Sequence, residues 1–449
     1  MSQNIAETLI LTMTRGMSLS EWQRLGLIGR EWALYELLSE NYERIVVISH
    51  GGSEDIAIAE SLGEHVIAIV NDDGVDATTY VSTLMDRLDR FVGPISDAVI
   101  KTNQMDDAGA ACAIAAGLRD RGCPVGLIAR CGYLRSQFLA RDLGPGSVEA
   151  RDAALIEATV IGSSDLVVGT TNEIVDDLSW RDGLDAERVR VIPNYVLTDE
   201  PVLAAEDRVP GLAVYVGQLV ERKRVESLIR AIADQPPEEN AALEVIGDGP
   251  ERGALEGLAR ELDAPVKFLG LMDHEHALER MSRASVYLHA SLLEGHPKSV
   301  IEAMACGTPC IVADTPGLGS LIENGVTGIR VPGESETFAY ALAGVLSDVG
   351  WRNQLGACAS ERARKKYGLD KVIKLEREAH ATALSFGRAD GEGASPLIRW
   401  SSALLVHSPE RVAHAWQDAL ESLLAQLPES RRVALIEALG QRKSRQEAA

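Results

Sequence analysis

Aromatic residues are scarce: Phe, Tyr and Trp make up 4% of the 449 residues, against 46% hydrophobic overall. Packing must rest on small aliphatic side chains, as in α/β proteins whose parallel strands are buried on both faces. Positive charge is also in deficit. With 44 basic against 67 acidic residues the net charge is −23, which excludes nonspecific nucleic-acid binding and opposes broad docking to anionic lipid. The six cysteines, at 112, 123, 131, 306, 310 and 358, include no Cys-x-x-Cys pair and no zinc spacing. Cys306 and Cys310 flank Gly-Thr-Pro and read as core packing. No apolar run approaches transmembrane length, and residues 1–7 carry no basic residue of the kind that opens a secretory signal. These absences lead us to expect a cytoplasmic, reduced protein, and 449 residues are enough for two or three domains.

What is present is a regular alternation. Short β-rich runs at 9–14, 45–49, 66–70, 98–101, 125–129, 166–170 and 189–192 are separated by helix-length segments. That order predicts βαβ units in a doubly wound parallel sheet. Thr14-Arg15-Gly16-Met17 follows the first strand, and Ser18 with Glu21 forms a capping-box pattern that predicts a long helix. Ligands of open α/β sheets bind outside the carboxyl ends of strands. Arg15, Gly16, His50, Asn103 and Arg130, all just past strand ends, are therefore candidates for the cleft and for an acceptor. For His50 and Asn103 ordinary loop polarity is an equal reading. A second alternation begins at 212–216, continues through 242–246 and 266–270, and includes the turn Gly247-Asp248-Gly249-Pro250.

Within that second half, residues 286–290 read as a buried strand, followed by a turn delivering Glu294 and Gly295. Pro297 suits the first position of a helix, residues 299–305 are helix-compatible, and Gly307 provides a left-handed stop before a strand at 310–313. The amides of Lys298, Ser299 and Val300 would face an anion such as phosphate. Glu302 lies five residues past Pro297, roughly 7.5 Å along the axis, and is placed for neighbouring hydroxyls rather than for the phosphate. Glu294 lies beyond the amides on the other side. A ligand with hydroxyls, then phosphate, then hydroxyls is a nucleotide sugar.

Two glutamates with seven residues between them, followed by Ala-Met-Ala-Cys-Gly-Thr-Pro, resemble the signature of the retaining glycosyltransferases of family 4. The resemblance covers roughly residues 8–387 and is sharpest over 212–333. It implies the GT-B fold, two doubly wound Rossmann-like domains facing across a cleft, with a helical C-terminal tail added here. The expected division is an acceptor-side domain at 1–196, closing with Ile192-Pro-Asn-Tyr-Val196, then a linker at 197–210. A donor-binding domain follows at 211–387, and a linker with helical tail at 388–449. The resemblance assigns donor contacts to Gly217, Gln218, Arg222, Lys223, Gly249, Glu294, Gly295, His296, Lys298, Ser299, Val300 and Glu302, with Lys223 and Glu294 in catalytic roles. In family 4 an arginine usually follows the glycine at 217; Gln218 stands there instead, a loss worth about 1.5–3 kcal/mol for a charged hydrogen bond. Arg222 and Arg224 are both candidates to replace it. Relatives also carry a histidine where Arg130-Cys131-Gly132 stands.

The implied activity is transfer of a sugar, with retention, from a nucleoside-diphosphate sugar to an acceptor hydroxyl in polysaccharide or glycoconjugate synthesis. No metal and no cofactor are implied, and the partners are the donor and a carbohydrate or lipid-linked acceptor. A sugar-nucleotide epimerase or hydrolase on the same scaffold, and a catalytically silent subunit, are the alternatives. In the tail, Val412, Trp416, Leu420, Leu423 and Leu427 form an apolar stripe ahead of the basic cluster Arg442-Lys443-Ser444-Arg445. Its expected cover is protein, from the same chain or from a second copy in a homo-oligomer. A membrane surface is the alternative.

Overall fold

The computed structural model describes residues 4–389 except 15, 107, 183, 185, 199–201, 205 and 206. Arg15 and the tail from 390 onward thus lie outside the described residues. The expected runs become strands: β1 (Thr8–Thr12), β2 (Arg44–Ile48), β3 (Val66–Ile69), β4 (Ala98–Thr102), β5 (Val125–Cys131), β6 (Leu166–Gly169) and β7 (Val189–Val191). They form one parallel sheet in the order β3-β2-β1-β4-β5-β6-β7. β8 (Val209–Val216), β9 (Ala242–Ile246), β10 (Val266–Gly270), β11 (Ala284–His289), β12 (Cys310–Ala313) and β13 (Ile329–Val331) form a second, in the order β10-β9-β8-β11-β12-β13. Burial on both faces explains why the central strands are nearly continuous apolar runs: all five residues of β1 and all six of β11 are buried. The architecture is GT-B. Among the described residues no helix is long and apolar enough to cross a membrane, and the six cysteines form no disulfide.

In each sheet the strand order reverses at one point, between β1 and β4 and between β8 and β11. At such a point adjacent strands send their connections to opposite faces and leave a crevice at their carboxyl ends. The loops after β8 and β11 carry Gly217 and Glu294. Those after β1 and β4 carry Gly16 and Asn103.

Three expectations are corrected. The helix opened by Ser18 is short: α1 (Leu19–Arg24) ends before Gly26, whose φ is +65°, and α2 (Ile28–Ser39) follows. Ser18 Oγ does accept from Glu21 N, but the Glu21 carboxylate turns to Arg24 rather than back to the cap. Second, Pro297 is the N-cap rather than the first helical residue, with ψ at 115°, and α12 spans Lys298–Ala305. Third, the second domain does not run to 387. The chain crosses back beside its first crossing, where Val196 N donates to Tyr367 O at 2.9 Å and Leu369 N to Val196 O at 3.1 Å. The last helix, α15 (Leu369–Ala389), then packs on β5 of the first sheet. The fit is close because Gly126 and Gly387 face each other's segments; a Cβ on Gly387 would collide with the Val125 carbonyl oxygen.

Candidate active site between the domains

Glu294 is the centre of the second domain's half of the cleft. The apolar run of β11 ends at His289, and the chain then turns to present the Glu294 side chain back at that histidine. Glu294 Oε1 accepts from Lys223 Nζ, from Ser291 Oγ at 2.6 Å and from His289 Nε2 at 3.0 Å; Arg222 Nη1 lies 3.5 Å away. Burial alone would raise the Glu294 pKa, but the His289 hydrogen bond and the Lys223 charge outweigh it and hold the carboxyl well below the usual range. His289 is fully buried and its pKa is lowered, chiefly by that burial. A neutral imidazole that donates from Nε2 must accept at Nδ1, where Tyr287 OH lies at 3.1 Å. Tyr287 OH also reaches Ser299 Oγ at 2.8 Å, so one polar chain ties the Glu294 loop to the first turn of α12.

Lys223 and Arg222 arrive on a single 3-10 turn, Glu221–Lys223, after the Gly217 loop. Between the two candidates for the missing arginine, the structure brings Arg222 to the site. Its guanidinium donates to Leu293 O at 2.7 Å and covers the Phe138 ring of the first domain at 4.8 Å. Arg224 instead pairs with Glu226, at 3.7 Å. Gln218 is exposed, and its carbonyl accepts from Tyr215 OH at 3.0 Å. Gly217 and Gly249 lie in adjoining loops after β8 and β9, joined by Leu219 N donating to Asp248 O at 3.0 Å.

The start of α12 is the other part of this half. The first intrahelical bond belongs to Ile301, whose N–H faces Pro297 O at 3.5 Å, so the amides of Lys298, Ser299 and Val300 precede the ladder. The Val300 side chain is core. Gly295 is required by a close approach: a Cβ there would strike the Gly132 carbonyl oxygen of the first domain. His296 packs edge-on against Tyr367 with centroids 5.0 Å apart, and burial pushes its pKa down to about 3. Its carbonyl accepts from Asn194 Nδ2 at 2.6 Å.

Two pairs cross the cleft, neither of them evident in the sequence. Lys298 Nζ donates to both oxygens of Glu31 on α2, at 2.7 and 2.6 Å. Arg30 lies 3.3 Å from Glu302 Oε1, which also accepts from His274 Nε2 at 3.0 Å. Glu302 is thus buried and engaged with protein groups. Glu31 and Glu302 are each lowered to about 2: Lys298 and Arg30 outweigh burial at Glu31, and Arg30 with the His274 hydrogen bond outweighs it at Glu302. A carboxylate lowered in the folded state adds stability that is complete above the ordinary glutamate value, 4.5, and lost as pH falls through that range toward about 2. Urea midpoints measured from about pH 6 down to pH 3 are expected to fall, and to fall less steeply in Glu302→Gln. Equal slopes in the two proteins would show that Glu302 does not contribute.

On the first domain's side, Asn103 and Arg130 line a cavity of about 350 Å³ together with Trp22, Arg30, Glu31, Lys101 and Lys298. Arg130 Nη2 donates to Asn194 Oδ1 at 2.8 Å. Gly16, with φ at +79°, is exposed and is not among the lining residues. His50 lies elsewhere, edge-on to Tyr80 at 5.8 Å. Behind the cavity Lys101 Nζ bonds Glu376 Oε2 of α15 at 2.7 Å, both groups being 1% exposed. Among the described residues no group of three or more His, Cys, Asp or Glu side chains is placed to hold a metal ion.

Residues 204–374 match the family of glycosyl transferases group 1. The matched stretch contains Lys223, Glu294 and α12. The chain is 33% identical over 166 residues to an uncharacterized glycosyltransferase of Methanocaldococcus jannaschii, covering 36% of this chain and 43% of that protein. It is 30% identical over 252 residues to the D-inositol 3-phosphate glycosyltransferase of Kribbella flavida, covering 51% and 58%. It therefore spans about half the length of the curated relatives it matches. Among solved structures, the sucrose-phosphate synthase of Thermosynechococcus elongatus superposes with a TM-score of 0.65 at 20% identity, over 83% of this chain and 98% of that one. Anabaena HepE, in complex with UDP and glucose, gives 0.63 at 18% over 82% and 98%. Both support the two-domain fold.

Sequence reading missed Arg30, Glu31, Lys101, Asn194, His274, His289 and Glu376. His289 and Lys101 carried a signal, a titratable residue closing an apolar run at the edge of a switch point.

Proposed function

We propose that the protein is a retaining, metal-independent glycosyltransferase that moves a sugar from a nucleoside-diphosphate sugar to an acceptor hydroxyl. The observation that carries this reading is the convergence on one cleft of an ionised Glu294, the cation Lys223 and the N-terminal amides of α12. A solved neighbour of the same fold is described with UDP and glucose, and the curated relatives include glycosyltransferases.

Mechanistically, Lys223 and the α12 amides stabilise the charge that develops on the diphosphate as the sugar C1–O bond breaks. The acceptor oxygen bonds to C1 on the face the diphosphate leaves, and its proton passes to a diphosphate oxygen. Glu294 accepts hydroxyls of the transferred sugar, and its lowered pKa keeps it an acceptor across the working range. Arg222 takes the part of the arginine absent at Gln218. Glu302 accepts ribose hydroxyls beside His274, in exchange for its contact with Arg30.

Incubation with UDP-, GDP- and ADP-sugars and a panel of hydroxylated acceptors is the test. Acceptor-dependent release of nucleoside diphosphate, with an α-linked product from an α-linked donor by NMR, is expected. Free sugar formed equally with and without acceptor would make it a hydrolase. Glu302→Gln is expected to weaken nucleotide binding by about 1–3 kcal/mol in calorimetry, as for a hydrogen bond to a charged group. Unchanged affinity would remove Glu302 from the ribose.

A further inference from the structure

The cavity at the first domain's switch point reverses the charge balance of the chain. Acidic residues outnumber basic ones by 67 to 44 overall, yet the charged residues described on this wall are the cations Arg30, Lys101, Arg130 and Lys298 and one carboxylate, Glu31. The other balancing carboxylates, Glu302 and Glu376, stand behind the wall, with side chains 5% and 1% exposed. Counting all three carboxylates, one positive charge is left over in a concave, largely buried space, where fields are focused and an anion is concentrated. Donor capacity is left over too. Arg130 spends two nitrogens on Asn194, at 2.8 Å, and on a long 3.5 Å contact to Glu376. A guanidinium carries five donors. Lys298 gives two of its three to Glu31.

We propose that this cavity takes an acceptor bearing an anionic group, a carboxylate or phosphate on a small hydroxylated molecule, held by Arg130 with Lys298. The inference rests on the glycosyltransferase reading, which makes this cavity the acceptor side. Arg130 is the specificity-determining residue: it lies where β5 ends, and its planar fork suits both anions. A neutral sugar would leave the surplus cation in a desolvated site without a counter-charge, which is costly.

The test uses the full chain saturated with UDP, so that the donor phosphates are already in place. Inorganic phosphate and malonate are the two anionic probes and glucose the neutral one, followed by calorimetry. Binding of phosphate, malonate or both is expected; whichever binds names the anion. Arg130→Gln should weaken that binding about ten- to hundredfold, and Arg130→Lys should restore part of it. Turnover with glycerol 3-phosphate or malate as acceptor should exceed that with glycerol and show the same loss in KM. No anion binding in a protein that still binds UDP, or anion binding indifferent to Arg130→Gln, overturns this inference alone. Failure to bind any nucleoside diphosphate overturns the functional reading beneath it.

Discussion

Lys223→Ala is expected to lower the rate of sugar transfer by about two to three decades, the usual cost of removing one preorganised electrostatic stabiliser from a developing anion. The same substitution breaks an ion pair whose partners are only 12% and 10% exposed, and for an isolated buried pair the stability loss would be about 3–5 kcal/mol. Here the loss should be smaller, because Glu294 keeps His289, Ser291 and Arg222. Turnover and stability therefore separate. Lys223→Arg should recover only part of the rate, because a planar fork does not reproduce a compact ammonium. Stopped-flow release of nucleoside diphosphate, with melting curves on the same preparations, checks both halves. Wild-type turnover in the alanine variant would move the role to Arg222.

The largest stability effect is expected at Glu376. It neutralises Lys101 inside the first domain, and Arg130 lies 3.5 Å from its second oxygen. Removing it by Glu376→Ala leaves the Lys101 ammonium 1% exposed without a counter-ion, which costs about 3–5 kcal/mol. Hydrogen exchange of the β4 and β5 amides should accelerate by about two to three decades, since each 1.4 kcal/mol is tenfold. The double variant Lys101→Met, Glu376→Leu should recover most of the protection, because a buried pair replaced by apolar groups of similar volume is close to neutral. If Glu376→Ala exchanges like the wild type, α15 does not depend on this pair to hold the first sheet.

These effects mark the boundary of what local sequence carries. Most strands of the two sheets were legible because burial on two faces demands continuous apolar runs. β13 was not: three residues, two of them only half-buried, leave no such run. The Glu294–Glu302 stretch was legible because a strand, a loop and a helix N-terminus follow one another within about twenty residues. α15 looked like a helix of the second domain because chain order is the only local cue to domain membership. Its docking depends on Gly126 and Gly387, more than 250 positions apart, and on Lys101 with Glu376. The cross-cleft pairs Arg30 with Glu302 and Glu31 with Lys298 are equally remote, 272 and 267 positions apart. A charged pair on α2 reads as solvated until the fold sets it against α12. Asn194 was placed in a recognisable segment, but its bonds to Arg130 and the His296 carbonyl emerge only in three dimensions.

The central claim is that the cleft between Lys223, Glu294 and the start of α12 holds a nucleoside diphosphate. Calorimetric titration of UDP, GDP and ADP into the wild type and into Lys223→Ala measures it most directly. One nucleotide should bind the wild type in preference to the others, and its affinity should fall about ten- to hundredfold in Lys223→Ala, as for a lost charged hydrogen bond. Binding of none of the three, or binding that ignores Lys223, would contradict the account.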